Sequence, residues 1–559
     1  MIAPSRLIAE PRSGGWAALG LFRRLRNSGP SAALTGIIAA LALFVALVLA
    51  NRATLVGEVV LVGDYASDLL QTQRAEHGWL LVGHYNTYWC NHPGPFFLYV
   101  RLLGQWLVGG WTGSVFGAQL IGVMAGNALF LGLFVGLAHG LARRVGADNW
   151  RAAAAVSVSL LLILAQLSVQ SGGGESLLAV FWMPHVLVAP FLAFLIAVAM
   201  TLLGSGAGLM VASFCLAALV HGYIPMPMIA GPIWLLAVLL GAWNRRRQGV
   251  GGFPRPVWIG VGVVGLVFAL PPVLDLWLYP PGNLFRILAA AAKSREEAPL
   301  LSVFEVVRLL KAQWARVNSW LWLVMLVGLL GSLAAGRGRS IWAAVFLTVF
   351  FASATSALTF LATVGPPSDY TAKYFIAAAL LPISVGGLLL TVELGRRRRG
   401  LDWVAAGLGL LILAGTASLH NPYRMRSEMQ VVSWLLTQAI AAETPPETQV
   451  QLDAEPPDPT LWRAGDESGR IASLLSGILL GLDHFSMSSC YRNPVMDFYV
   501  TPYRICSQSP SRRIKAYHMA LTPCPAEPPQ TFERIGEGVV FRISWRMKES
   551  RCLAFAPIP

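Results

Sequence analysis

Asp64 and Asp68 stand four residues apart in VGDYASDLLQ, a spacing that puts two carboxylates on one face of a helix. So placed, they repel when both are ionised. One can then serve as a general base, or the two can share a cation. The same spacing also suits a plainer arrangement, in which Asp64 caps the helix and Asp68 is solvated. The stretch that follows, HGWLLVGHYNTYWCNHPGPFFLYVRLLGQW, supplies His84, Tyr85, His92 and Arg101, all able to meet a substrate by hydrogen bond or charge. His84 and His92 can reach a phosphate or an acceptor, although a histidine in an aromatic loop is more often a hydrogen-bonding support. Pro93 and Pro95 fix the backbone ahead of an amphipathic segment, Phe96 to Trp106, that carries Arg101, and this role accounts for them without catalysis.

The elements that must hold these residues follow from composition. Of 559 residues, 55% are hydrophobic and 13% charged. The mean hydropathy of +0.59 is too high for a soluble chain of this length. Apolar runs of about 17 to 25 residues can cross a bilayer as helices. About eleven such runs occur: near Ala32 to Ala50, Ser114 to Ala142, Ala152 to Gln170, Leu178 to Leu203, Leu209 to Tyr223, Met226 to Trp243, Val257 to Leu276, Ser319 to Ala335, Trp342 to Val364, Tyr374 to Val392 and Trp403 to Leu419. The formal charge of +14 does not point to nucleic acid, because the arginines fall between these runs.

With the N-terminus in the cytosol, every second junction should be basic. It is, at Arg23, Arg24 and Arg26, at Arg143, Arg144 and Arg151, at Arg245 to Arg247, at Arg337 and Arg339, and at Arg396 to Arg399. Only the turn near Gly204 to Gly208 lacks a marker. An odd number of spans then puts the C-terminus outside. A signal peptidase could accept the sequence at Ala50, but the region before the apolar run is roughly thirty residues long, unlike a cleaved signal.

The expected protein is an α-helical, polytopic protein of a bacterial inner membrane. Residues 1–31 form a basic cytoplasmic N-terminus, 32–419 the transmembrane part with a first periplasmic loop at 51–113, and 420–559 a periplasmic C-terminal domain. The Pro-rich tail, with short apolar stretches between turn signals, reads as a small α/β unit. Cys90, Cys490, Cys506, Cys524 and Cys552 face outward and Cys215 lies in a span. An oxidising periplasm permits disulfides among the four tail cysteines, in one of three pairings. No CxxC or His/Cys spacing marks a zinc site.

An acidic residue after Gly in the first outer loop, a His-Pro turn roughly thirty residues on, an interfacial helix and a small-residue-rich span ending in AHGLARRVG resemble the GT-C superfamily of membrane glycosyltransferases. That group includes the protein O-mannosyltransferases and the lipid A aminoarabinose transferases. The strings FWMPHVLVAPFL, LVHGYIPM and LPPVLDLWLYPPGNL resemble a bacterial branch of it in which NHPGP replaces the usual HPP. The resemblance covers most of residues 32–400. It implies a GT-C-like fold and a transferase that takes a sugar from a polyprenyl-phosphate donor in the outer leaflet to a glycan, lipid or protein acceptor. It also implies that Asp64 holds the place of the first-loop acid that activates the acceptor hydroxyl. This chain departs from the common Asp-Glu pair, because Tyr65 follows Asp64 and the second acid is Asp68, so the base lies between these two. Only some relatives use a divalent cation; here Asp64 and Asp68 would be its ligands.

A lipid-phosphate leaving group needs positive charge at the outer face. Arg286 and Lys293 in PPGNLFRILAAAAK and Lys373 between Tyr370 and Tyr374 in SDYTAKYF are candidates, with interfacial snorkelling as the plainer reading for Arg286 and Lys373. Of the polar residues near outer helix ends, His185, His221 and Asp275, Asp275 is placed to line the same cavity. GVGVVG at Gly260 to Gly265 matches a dinucleotide fingerprint in letters only, since it lies inside an apolar run without a strand and turn, and it reads as helix packing.

The expected function is therefore an inverting glycosyltransferase. The expected substrate-binding set is His84, Tyr85, His92, Arg101, Asp275, Arg286, Tyr370 and Lys373. A transporter or flippase of lipid-linked sugars would show repeated halves and midplane charge, and the sequence has no internal repeat and few such charges. A non-catalytic envelope-assembly subunit, binding through its tail, is the third reading.

Overall fold

The computed structural model describes residues 30–57, 59–76, 78–86, 90–169, 176–297, 301–362 and 369–397, and in the C-terminal part 428–445, 449–454, 467–485, 487, 489–491, 514–523, 543–545 and 551–557. Among them, eight helices are long and apolar enough to cross a membrane, or nine if one bent pair counts as a single span. The chain is a multi-pass membrane protein. Each of the first ten apolar runs contains a helix, and Trp403 to Leu419 lies outside the described residues.

The first span, α1 (Ala32–Ala50), starts where the Ser31 side chain accepts the Leu34 amide, a normal N-cap. A short helix follows in the first loop, α2 (Asp64–Thr72), then α3 (Phe96–Thr112) and the 30-residue α4 (Val115–Arg144). Helices α1 and α4 touch through small residues: a Cβ on Gly36 would stand 2.7 Å from the Gly132 carbonyl oxygen, an approach only glycine permits. After α5 (Asn149–Val169) comes α6 (Val188–Leu202), whose residues are all buried, which makes it the centre of the bundle.

The run from Leu178 to Leu203 is not one helix as its hydropathy suggests. Residues Leu177 to Phe181 are buried but not helical, and helix begins only at Met183, with Pro184 in its first turn. Backbone left open at this depth must be satisfied by side chains. Asn127 donates to the Leu178 carbonyl at 3.0 Å, and Arg101 donates to the carbonyl of Phe181.

The bundle continues with α7 (Gly206–Gly222), α8 (Met226–Arg247), α9 (Arg255–Leu278) and α10 (Gly282–Glu297). Of α9, Asp275 alone is buried. This helix runs along the periphery and turns its apolar side chains to lipid. Next, α11 (Val303–Ala315), opened by a Ser302–Glu305 capping box, meets α12 (Ser319–Ala334) at 86°. Its amphipathic surface, Phe304 outward and Leu309 and Leu310 inward, fits a helix lying at the membrane boundary. Finally α13 (Arg339–Ala362) and the largely buried α14 (Ile376–Arg397) close the bundle. Arg144 donates to Leu203 at 3.0 Å, Arg245 to Gly204 at 3.1 Å and Arg396 to Val145, so the basic helix ends gather on one side, opposite to Asp64.

The tail carries helices α15 (Glu428–Glu443) and α16 (Glu467–His484). It also carries a five-stranded mixed sheet, which makes it the small α/β unit expected. A two-stranded hairpin in the first loop comes earlier, β1 (Tyr85–Asn86) with β2 (Cys90–Asn91). The sheet comprises β3 (Gln449–Ala454), β4 (Ser489–Tyr491), β5 (Ile514–Pro523), β6 (Ile543–Trp545) and β7 (Arg551–Pro557) in the order β4-β3-β5-β7-β6. Strand β3 is parallel to β4 and β5, while β7 is antiparallel to β5 and β6. Cys490 lies on β4 and Cys552 on β7, whereas Cys506 and Cys524 fall outside the described residues.

Candidate functional site

Gly63 opens the site. Its φ of 60° and ψ of −136° belong to a region that side-chain-bearing residues avoid, and this turn points Asp64 into the first turn of α2. One turn later Asp68 is buried, and its oxygens are divided between two partners: Oδ1 lies 2.6 Å from His84 Nδ1, and Oδ2 accepts from Arg101 Nη2 at 3.0 Å. Arg101, brought in by α3 and 1% exposed, also lies 3.7 Å from the centre of the Phe181 ring. Burial pushes the Asp68 carboxyl up, but His84 and Arg101 outweigh it and hold it below the usual carboxylate range. Burial likewise pushes His84 down, against the pull of Asp68, and its Nδ1–H donates to the carboxylate. The Nε2 of His84 is buried and has no hydrogen-bond partner among the described residues.

Asp64 meets different company. Its Oδ1 accepts the Tyr85 hydroxyl and its Oδ2 accepts Trp182 Nε1 at 2.9 Å, with no cation paired to it among the described residues. Burial drives its pKa up, the Tyr85 hydroxyl opposes that, and the charge of Asp68 adds to the rise. The hairpin brings Tyr85 here because its amide donates to Gln71 on α2 at 3.2 Å. The Trp182 ring lies 5.2 Å from His185 and 5.0 Å from Tyr370, and Tyr370 is 40% exposed. Lys373, on the same one-turn helix as Tyr370, and Arg316 at the bend after α11 lie within Coulombic range of His185. Trp182 thus joins Asp64 to His185, which lies in the field of the two cations.

A second cluster braces the hairpin. The Asn283 side chain accepts the Asn91 amide at 2.8 Å and donates to the Asn91 and His92 carbonyls at 2.8 and 3.3 Å. The Asn283 amide in turn donates to Asp275 Oδ2. His92 accepts the Ile224 amide at 3.3 Å, and burial pushes it down to about 3, so it is neutral. Asp275 and His92 therefore hold backbone. His221 donates through Nε2 to the Phe268 carbonyl at 2.7 Å.

The sequence candidates thus divide by place. Asp64, Asp68, His84, Tyr85 and Arg101 form one cluster, Tyr370 and Lys373 adjoin it through Trp182, and His92 and Asp275 belong to the Asn283 brace. Arg286 is exposed on α10, with Lys293 two turns further along. Sequence reasoning missed Trp182 and Asn283. Both sit two residues from a proline, in FWMPH and PPGN, where the helix is interrupted; there Trp182 reaches the Asp64 carboxylate and Asn283 reaches the backbone of the hairpin. As cation ligands, Asp64 and Asp68 do not fit: both Asp68 oxygens are engaged, and Arg101 already supplies the balancing charge. Among the described residues, no three His, Cys, Asp or Glu side chains are grouped to hold a metal ion.

No family model matches the sequence. No curated protein matches it either. Among solved structures, ArnT from Cupriavidus metallidurans bound to undecaprenyl phosphate is similar at 15% identity, with 97% of this chain and 98% of that chain covered and a TM-score of 0.51. The fold is GT-C-like. The apo oligosaccharyltransferase of Archaeoglobus fulgidus is similar at 12% identity over 88% of this chain and 69% of that chain, with a TM-score of 0.38, too low to speak for a common fold. In this GT-C-like bundle the Asp64 cluster stands between the first loop, the non-helical start of α6 and the turn before α14.

Proposed function

We propose that the protein is an inverting glycosyltransferase of the bacterial inner membrane, with its N-terminus in the cytosol and its C-terminus in the periplasm. It would move a sugar from a polyprenyl-phosphate donor to an acceptor hydroxyl at the periplasmic face. The observation that carries this reading is the division of labour between the two acids. Asp68 is paired with Arg101 and hydrogen-bonded to His84, while Asp64 has hydrogen-bond donors but no paired cation among the described residues, and a pKa raised by burial. A carboxylate with a raised pKa is the better base.

In the proposed reaction the acceptor hydroxyl gives its proton to Asp64 as its oxygen attacks the sugar's anomeric carbon from the side opposite the phosphate. The bond from that carbon to the phosphate oxygen breaks, and the electron pair leaves with the lipid phosphate. Tyr85 and Trp182 fix the direction of the carboxylate. Lys373, with Arg316 nearby, supplies positive charge for the departing phosphate. The undecaprenyl phosphate bound to the similar ArnT supports a lipid-phosphate donor.

The test is incubation of purified protein with a panel of polyprenyl-phosphate sugars, following donor consumption by mass spectrometry. Wild type should consume at least one donor and Asp64→Asn none. Consumption of no donor, with none stabilising the protein, refutes the reading.

A further inference from the structure

Two bonds join the ends of α2 to α16, and they have the same spacing. The Gly63 amide donates to the Ser473 carbonyl at 3.0 Å, and Gln73 Nε2 donates to Asp483 Oδ2 at 2.9 Å. Each pair is separated by 410 residues in sequence (473 − 63 and 483 − 73). Helix α2 and helix α16 therefore run side by side, parallel and in register. Ten residues of helix rise by about 15 Å, so the two bonds grip the segment carrying Asp64 and Asp68 at both its ends.

The chain leading into α2 is gripped as well. Gln430 on α15 donates to the Val60 carbonyl at 2.7 Å. A Cβ on Gly477 would stand 2.9 Å from the Leu61 carbonyl oxygen and 2.6 Å from Ser433 Oγ, so α16 packs directly against this stretch and α15. The bond to Ser473 is made by the very amide that precedes Asp64, in the residue whose positive φ aims it.

We infer that α16 positions the general base: the tail, by bonding Gly63 and Gln73 in register, sets the height and rotation of α2 and hence the reach of Asp64. Ser473, Gly477, Asp483 and Gln73 are positioning residues that touch no substrate. The inference rests on the transferase reading for its effect on rate. A misplacement of about 1 Å at a base costs about 100-fold in rate, so the grip need yield only slightly to be felt.

The experiment uses full-length protein in nanodiscs with the donor that wild type consumes. Gln73→Glu sets a carboxylate against Asp483. It should lower kcat about 100-fold while leaving KM for the donor within about threefold, since no donor contact changes. Adding Asp483→Lys restores an attractive pair and should recover most of the rate. Amide hydrogen exchange of the 60–72 segment supplies a readout that needs no turnover. It should speed up in Gln73→Glu and slow again in the double variant, with the thermal midpoint of the bundle little changed. Unchanged exchange in Gln73→Glu overturns the grip. Faster exchange with an unchanged kcat overturns the link to Asp64, and faster exchange that Asp483→Lys fails to reverse overturns the pairing. If wild type consumes no donor, the transferase reading fails, while exchange still decides whether α16 holds α2.

Discussion

Arg101 and Asp68 form an ion pair at 3.0 Å whose side chains are only 1% and 4% exposed. Neither group can fall back on water if the other is lost. Arg101→Met should therefore lower stability by about 3–5 kcal/mol, read as a drop in the thermal midpoint in detergent. Adding Asp68→Leu should return much of that loss, because two apolar groups leave no buried charge behind. An Arg101→Met midpoint equal to wild type would show that the pair carries no such burden.

The two acids also predict opposite responses to pH. Asp68 has its pKa lowered by folding. Its contribution to stability is thus present above the unfolded value, about 3.9, and is lost as pH falls through the lower folded value. Asp64 is raised, so the acid limb of kcat should lie above the ordinary carboxylate range, with activity growing as pH rises through it. Since the Tyr85 hydroxyl lowers the Asp64 pKa, Tyr85→Phe should move that limb to higher pH. A pH–rate profile of both proteins checks this, and a limb that stays in place argues against Asp64 as the titrating group.

Trp182 gives Asp64 a hydrogen bond worth about 1.5–3 kcal/mol as a bond to a charged group. Trp182→Phe keeps an aromatic ring beside Tyr370 and removes the N–H. It should lower kcat about tenfold or more and shift the acid limb upward, with folding preserved.

Lys373→Met should weaken the donor rather than the acceptor. The expected result is a donor KM about tenfold higher, with Lys373→Arg intermediate because it keeps the charge but not the shape. Equal donor KM in all three proteins would remove Lys373 from the phosphate site.

Asn283→Ala takes three hydrogen bonds from the hairpin and leaves the Asn91 amide without its side-chain acceptor. A loss of about 1–3 kcal/mol should follow, seen as a lower midpoint and faster exchange at residues 90–92.

Much of this was legible before any coordinates. Hydropathy located ten helices, because lipid leaves a spanning segment no other way to satisfy its backbone. The i, i+4 spacing rightly put Asp64 and Asp68 on a short helix, which runs from Asp64 to Thr72 and passes into a 3-10 turn. What the spacing could not tell was that the acids have unlike surroundings. That depends on Arg101, 33 residues on, and on Trp182, 118 residues beyond Asp64, and a one-dimensional pattern carries no record of such approach. The break before Met183 was hidden for a related reason. Leu177 to Trp182 are as apolar as a span, and only Pro184 and the hydrogen bonds of Asn127 and Arg101 reveal that they do not coil.

The parallel pairing of α2 with α16 has a consequence for how the molecule comes into being. A ribosome adding about 5–20 residues per second needs roughly 20–80 seconds to make the 410 residues between Gly63 and Ser473. Throughout that interval the first loop exists while the helix that grips it has yet to be made. The loop that carries the two acids is thus completed by a helix made 410 residues later, so chains released before Ser473 should insert and turn over no donor.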